Sequence, residues 1–114
     1  MDDCLFCKII KGDIPSSKVY EDGLCYAFRD INPQAPVHVL VMPKKHVANL
    51  PETGENDEAL LGHIQLVTAK IAADLGIDKT GFRVLTNCGE DAGQTVGHLH
   101  YHLLGGVKMA DKMC

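Results

Sequence analysis

No stretch of this 114-residue sequence stays apolar for anything near the roughly 20 residues that a bilayer-spanning helix needs. The runs "HVLVMP" and "LLGHIQLV" are short and broken by polar groups, so no membrane span is expected. A basic excess is also missing. Eleven Lys and Arg face 15 Asp and Glu, a net charge of -4, which argues against broad attraction to nucleic acid, because that needs clustered cations to neutralise phosphates. A small anion held in a pocket is still allowed. The opening "MDDCLFCKII" is acidic and lacks a long apolar run followed by a small-residue cleavage site; it does not read as a secretory signal, and a cytoplasmic location is expected. Five cysteines is an odd count, read in a cytosolic chain as reduced thiols. Cys4 and Cys7 are the pair whose spacing points to a shared role, with Cys25, Cys88 and Cys114 incidental. Repeats, low-complexity tracts and long linkers are absent, and a hydrophobic content of 46% suits one core, so a single domain over residues 1–114 is expected.

What is present reads as an α+β chain. Residues Cys4 to Lys11 fit a short helix with Phe6, Ile9 and Ile10 on its apolar side, ended by Gly12 and the Ile14-Pro15 step. Three strand candidates follow: "KVYED", "LCYAFRDI" and the almost continuously apolar "VHVLVMP". From about Asp57 to Leu75, apolar Leu60, Ile64, Val67, Ile71 and Leu75 recur every three or four residues, as one face of an amphipathic helix. Asn56, Asp57 and Glu58 supply cap and dipole-compatible acids at its start, and Gly76 is suited to a left-handed stop. "FRVLTN" and "HLHYHLL" are two more strands, joined by the glycine-rich "CGEDAGQTVG". Strands, one long helix, then strands again predict a sheet with its helices packed on it.

The last of these strands carries the chemistry. In "GHLHYHLLGG", His98, His100 and His102 alternate with Leu99, Tyr101 and Leu103, so a strand would set the imidazoles on one face and the apolar side chains on the other. A lone strand histidine is usually just a satisfied polar side chain. Three in register would need partners for up to six ring nitrogens, and each buried unpaired polar group costs about 1–3 kcal/mol. Two functional readings remain: a metal centre, or nucleophilic catalysis by a neutral imidazole whose neighbours bind anionic oxygens or move protons. The preceding loop favours catalysis. Gly89, Gly93 and Gly97 allow close backbone approach, and Asn87, Gln94 and Thr95 bring donors suited to phosphate oxygens. His63, on the long helix beside its apolar stripe, is expected to be exposed or at an interface.

These residues resemble a known family. "GQTVGHLHYHLLGG" resembles the histidine-triad (HIT) signature, and "RDINPQAPVHVLVMPKKH" is similar to the upstream segment of its Hint branch, the histidine-triad nucleotide-binding proteins. The resemblance spans "FCKII" to "LLGG". It implies a HIT-like fold: an antiparallel five-stranded sheet with one long and one short helix, continued across a homodimer.

It also implies a purine-nucleotide hydrolase that cleaves nucleoside phosphoramidates through a nucleotidyl-histidine, with no cofactor required for catalysis. His100 would be the nucleophile, tautomerically fixed by the His98 carbonyl, with His102 and His38 assisting. Asn87, Gln94 and Thr95 would hold phosphate and leaving group, and Asp30 the ribose hydroxyls. Phe6, Ile9, Phe28, Ile31 and Leu40 match positions that sandwich the purine, an apolar slot expected to accept adenine and guanine alike. Relatives with Cys-x-x-Cys at this point resemble a closed structural zinc site, here Cys4, Cys7, His46 and His98; zinc on His98 would make that side chain structural rather than a proton carrier. The ending "GGVKMADKMC" departs from relatives whose tails carry a tryptophan into the partner's site, so leaving-group preference is expected to differ. Two alternatives are a dinucleoside polyphosphate hydrolase of the fragile-histidine type and a nucleotide-sensing interaction protein with residual hydrolysis. The short length and "LLGG" ending disfavour the first.

Overall fold

A computed structural model describes residues 3–111 of the chain. Five strands, β1 (Lys18–Glu21), β2 (Cys25–Arg29), β3 (Val37–Pro43), β4 (Phe82–Leu85) and β5 (Tyr101–Gly105), form one antiparallel sheet in the order β1-β2-β3-β5-β4. Helix α1 (Leu5–Lys11) precedes the sheet, and α2 (Glu58–Asp74) lies between β3 and β4 in the chain. Among the described residues no helix is long and apolar enough to cross a membrane.

Strand alternation sorts the side chains into two cores. Val39 and Val41 of β3, with Leu99, Tyr101 and Leu103, pack against Ile64, Val67 and Ile71 of α2. Leu40 and Met42 point the other way, with Tyr26 and Phe28, onto Phe6 and Ile9 of α1. A fully buried aliphatic side chain contributes about 1.5–3 kcal/mol, so the three α2 side chains hold a helix whose sequence alone would not. Leu40 pairs with His102 and His38 with Leu104 in the β3–β5 ladder, which puts the even-numbered His38 on the same side as Leu40, beneath α1.

Several expectations are corrected. The triad strand is shorter than "HLHYHLL": β5 begins at Tyr101, so His98 and His100 precede the ladder. Register would next set Leu99 opposite Pro43, which has no N–H to donate, and the Leu99 N–H goes instead to the Val47 carbonyl at 2.7 Å. On the other flank the Thr86 hydroxyl donates to the His100 carbonyl at 2.7 Å, replacing a ladder bond with a side-chain one. The acids before α2 do not cap it by side-chain bonds. Residues Glu55–Asp57 form a 3-10 turn, and the Asp57 carboxylate looks back to the Gly54 N–H (3.0 Å) and Lys45 Nζ (2.6 Å), which hold it below the usual carboxylate range. Gly76 does take a left-handed φ of 76° beyond the end of α2. His63 is not merely exposed: its Nε2 lies 2.7 Å from Asp22 Oδ2 and ties α2 to the β1–β2 turn. Cys25, read as incidental, is fully buried in the core, where burial pushes its thiol up to about 11. Cys114 lies outside the described residues.

Candidate active site

Main-chain groups fix the tautomers of three histidines directly and that of a fourth through one of them. His100 Nδ1 is 2.7 Å from the His98 carbonyl, so that nitrogen carries the hydrogen and Nε2 keeps its lone pair. The Gln34 N–H donates to His38 Nδ1 at 3.0 Å, so neutral His38 carries its hydrogen on Nε2. That Nε2–H donates to His102 Nδ1 at 2.9 Å, with Asp30 Oδ2 next nearest at 3.5 Å. His102 therefore has its own hydrogen on Nε2. The result is one imidazole with a free lone pair, His100, beside one with a free N–H, His102, their ring centres 5.2 Å apart. His98 differs: its Nε2–H donates to the Pro43 carbonyl at 2.8 Å, leaving Nδ1 to face the thiols.

Burial keeps these rings neutral. It lowers the pKa of His38, partly offset by the Asp30 carboxylate, and that of His100 and His98 as well. His102 is lowered to about 4, first by burial and then by repulsion from His100 and His38. A nucleophilic imidazole must be unprotonated, so the depression favours attack.

His100 and His102 open into a cavity of about 300 Å³. One wall is apolar: Phe6 and Ile9 of α1, Phe28 of β2 and Leu40 of β3. Phe6 stands edge-on to both Phe28 (centroids 5.6 Å apart) and His100 (4.9 Å). Asp30 and Thr95 line it from two loops. Ile31 lines it at the rim, 89% exposed, rather than within a closed sandwich. Asn87 and Gln94 are not among its lining residues. The Gln94 side chain is spent on its own loop and on the segment after β3, donating to the carbonyls of Val96 (3.0 Å) and Ala48 (2.8 Å) and accepting from the Gly89 N–H (3.0 Å). Gly89 and Gly93 adopt the left-handed φ that this loop needs, 85° and 78°; Gly97 does not. Sequence reasoning missed Val96 and Ile14, which also line the cavity together with Leu5, the Pro15–Ser17 segment and Arg29, and the Gln34 amide, which acts through its backbone and leaves no residue-type signal.

A second constellation lies behind His98. Cys4, Cys7, His46 and His98 each offer a ligand atom, all within 4.8 Å of one another. His98 Nδ1 is 3.4 Å from Cys4 Sγ and 3.6 Å from Cys7 Sγ, and His46 Nδ1 is 3.3 Å from Cys7 Sγ. Tetrahedral bonds of about 2.3 Å to sulfur and 2.0 Å to nitrogen place such atoms about 3.5 Å apart, so the set fits a four-coordinate zinc. The Cys7 N–H donates to Cys4 Sγ at 3.3 Å. All four described cysteines are free. Without a metal, burial and then Cys4 raise the Cys7 thiol above its ordinary value.

Comparison with known proteins gives a consistent picture. A family model described as the HIT domain matches residues 11–109. A HIT-like protein from Synechocystis sp. is 54% identical over 105 residues, 92% of this chain and 91% of its own. Among solved structures, a HIT family hydrolase from Clostridium thermocellum is 54% identical with a TM-score of 0.97, covering 100% of this chain and 99% of that one. A histidine triad nucleotide-binding protein from Candida albicans is 38% identical with a TM-score of 0.81, covering 98% and 87%.

Proposed function

The chain belongs to the HIT domain family, and from that premise we propose that it is a Hint-branch hydrolase that cleaves nucleoside phosphoramidates of purine nucleotides. The observation that carries the reading is the 2.7 Å bond from His100 Nδ1 to the His98 carbonyl, which leaves Nε2 unprotonated beside an apolar slot. The solved relatives named as a hydrolase and as a nucleotide-binding protein support it.

The chemistry follows from the tautomers. His100 Nε2 forms a bond to the α-phosphorus while the P–N bond breaks; the amine leaves with that bonding pair and takes up a proton. Water then adds to phosphorus, the P–Nε2 pair returns to His100, and the water's proton is released. His102 presents its Nε2–H to a phosphoryl oxygen as charge builds there, and His38 behind it holds the donor in place and supports proton transfer. Thr95 supplies a further donor at the cavity edge. Asn87 and Gln94 would have to change partners or position to join it. The Asp30 carboxylate accepts the ribose hydroxyls, and the purine lies between Phe6, Ile9, Phe28 and Leu40, with Ile31 closing over the rim. Few polar groups reach that slot, so discrimination between adenine and guanine is weak.

Zinc on Cys4, Cys7, His46 and His98 would be structural, contributing folding free energy rather than chemistry. His98 then serves catalysis through its main-chain carbonyl alone.

The test is rapid quenching of the protein with adenosine 5′-phosphoramidate, followed by peptide mass spectrometry. An adenylyl mass on the peptide containing His100, lost in His100→Ala together with turnover, is expected. A His100→Ala protein that still turns over and forms the adduct overturns the reading. Cleavage of a diadenosine polyphosphate in preference to the phosphoramidate would move the protein to the fragile-histidine type.

A further inference from the structure

The two constellations share helix α1. Cys4 precedes it and Cys7 lies in its first turn, while Phe6, between them, and Ile9 form a wall of the cavity on its opposite side. Phe6 also stands edge-on to His98 at 6.1 Å and to His100 at 4.9 Å. Seven residues are too few for a helix to persist unaided in water, because nucleation is costly and two turns recover little of that cost. What holds α1 on the sheet is the burial of Phe6 and Ile9 on one face and the contacts of Cys4 and Cys7 with His46 and His98 on the other.

We propose that the Cys4/Cys7/His46/His98 cluster sets the affinity of the base slot: metal bound there docks α1 and so completes the wall on which the purine lies. The proposal deepens the nucleotide reading and rests on it. A site whose competent form is only partly populated binds more weakly in proportion to that fraction, and a first ligand that populates it removes the penalty. Zinc therefore strengthens purine binding, and by linkage a purine nucleotide strengthens zinc binding by the same factor. The coupling runs through the wall and not through the phosphate-facing imidazoles, so it acts on a nucleoside as much as on a nucleotide.

Calorimetric titration of AMP and of adenosine into the zinc-loaded full chain, into the chelated chain and into Cys7→Ser tests this. Removal of zinc is expected to weaken both ligands by at least about fivefold, the lower range of such couplings. Saturating AMP should tighten zinc by the same factor, and hydrogen exchange of the α1 amides should slow when zinc is added. Cys7→Ser should match the chelated protein, which guards against misfolding of the variant. Equal AMP affinity with and without zinc overturns the proposal. So does failure to bind zinc, unchanged α1 exchange, or a zinc effect on AMP that adenosine does not share. AMP binding in neither state would instead defeat the nucleotide reading, and this inference with it.

Discussion

The fold acts strongly on the His102 side chain. An imidazole in the unfolded chain begins to take up protons as pH drops through about 6.5, whereas in the fold His102 resists until about 4. Between those values the unfolded state binds more protons than the native one, so stability falls as pH falls; above about 6.5 neither state is charged and the contribution is complete. Urea midpoints measured from pH 7.5 to 4.5, in chelator so that metal loss adds nothing, should drop steadily below 6.5. His102→Asn should flatten that slope; an unchanged slope would mean that the ring is not buried neutral. The importance of this residue was legible in the alternation of His98, His100 and His102 with Leu99, Tyr101 and Leu103. The family resemblance also implied the bond from His100 to the His98 carbonyl, but the direction in which the other rings look was not legible, because it depends on carbonyls and amides of residues as distant as Pro43 and Gln34. Asn87 and Gln94 show the same limit from the other side. Residue type marks them as phosphate donors, yet Gln94 spends both amide hydrogens on Ala48 and Val96.

At the scale of elements, α2 was readable because its apolar spacing is long and regular, and Ile64, Val67 and Ile71 are buried as that spacing requires. The triad strand was readable in place but not in length, since its early end depends on the Leu99 N–H and the His100 carbonyl finding partners off the ladder, at Val47 and Thr86. Its far end carries a packing constraint that "LLGG" does not advertise. Gly105 pairs with Val37 and Phe82, and a Cβ there would come 2.6 Å from Ile77 Cδ1 and 3.2 Å from Ile77 Cβ. A flexible Cδ1 can swing away, but the Cβ is fixed to the backbone that leads out of α2. Gly105→Ala should therefore cost about 1–3 kcal/mol, the usual range for overpacking. A denaturation midpoint equal to the wild type's would show that Ile77 moves freely. Gly106→Ala makes a useful comparison, because there a left-handed φ of 85° adds backbone strain to the 3.1 Å approach of Pro36 Cβ.

The whole molecule has two sheet edges, and they differ in their capacity to pair. β1 has its register broken between Lys18 and Tyr20 and charges at both ends, features that blunt an edge. β4 is regular, and Phe82 on it is 40% exposed. Leu66, on the face of α2 turned away from the core, is 72% exposed. A two-fold pairing through β4 would extend the sheet across two copies and bring the α2 helices together, the homodimer implied by the family resemblance. We expect the 12.4 kDa chain to run at twice that mass in light scattering at micromolar concentration. Leu66→Glu should convert it to a monomer while leaving the fold intact, because an exposed position away from the core contributes little to stability, about 0.5 kcal/mol at most. Two like charges facing each other across the axis would oppose association in the variant, and raising the salt should partly restore the dimer by screening them. A wild-type chain that runs as a monomer, or a Leu66→Glu chain that stays dimeric at low salt, would rule out this face as the contact and leave β4 as an open edge.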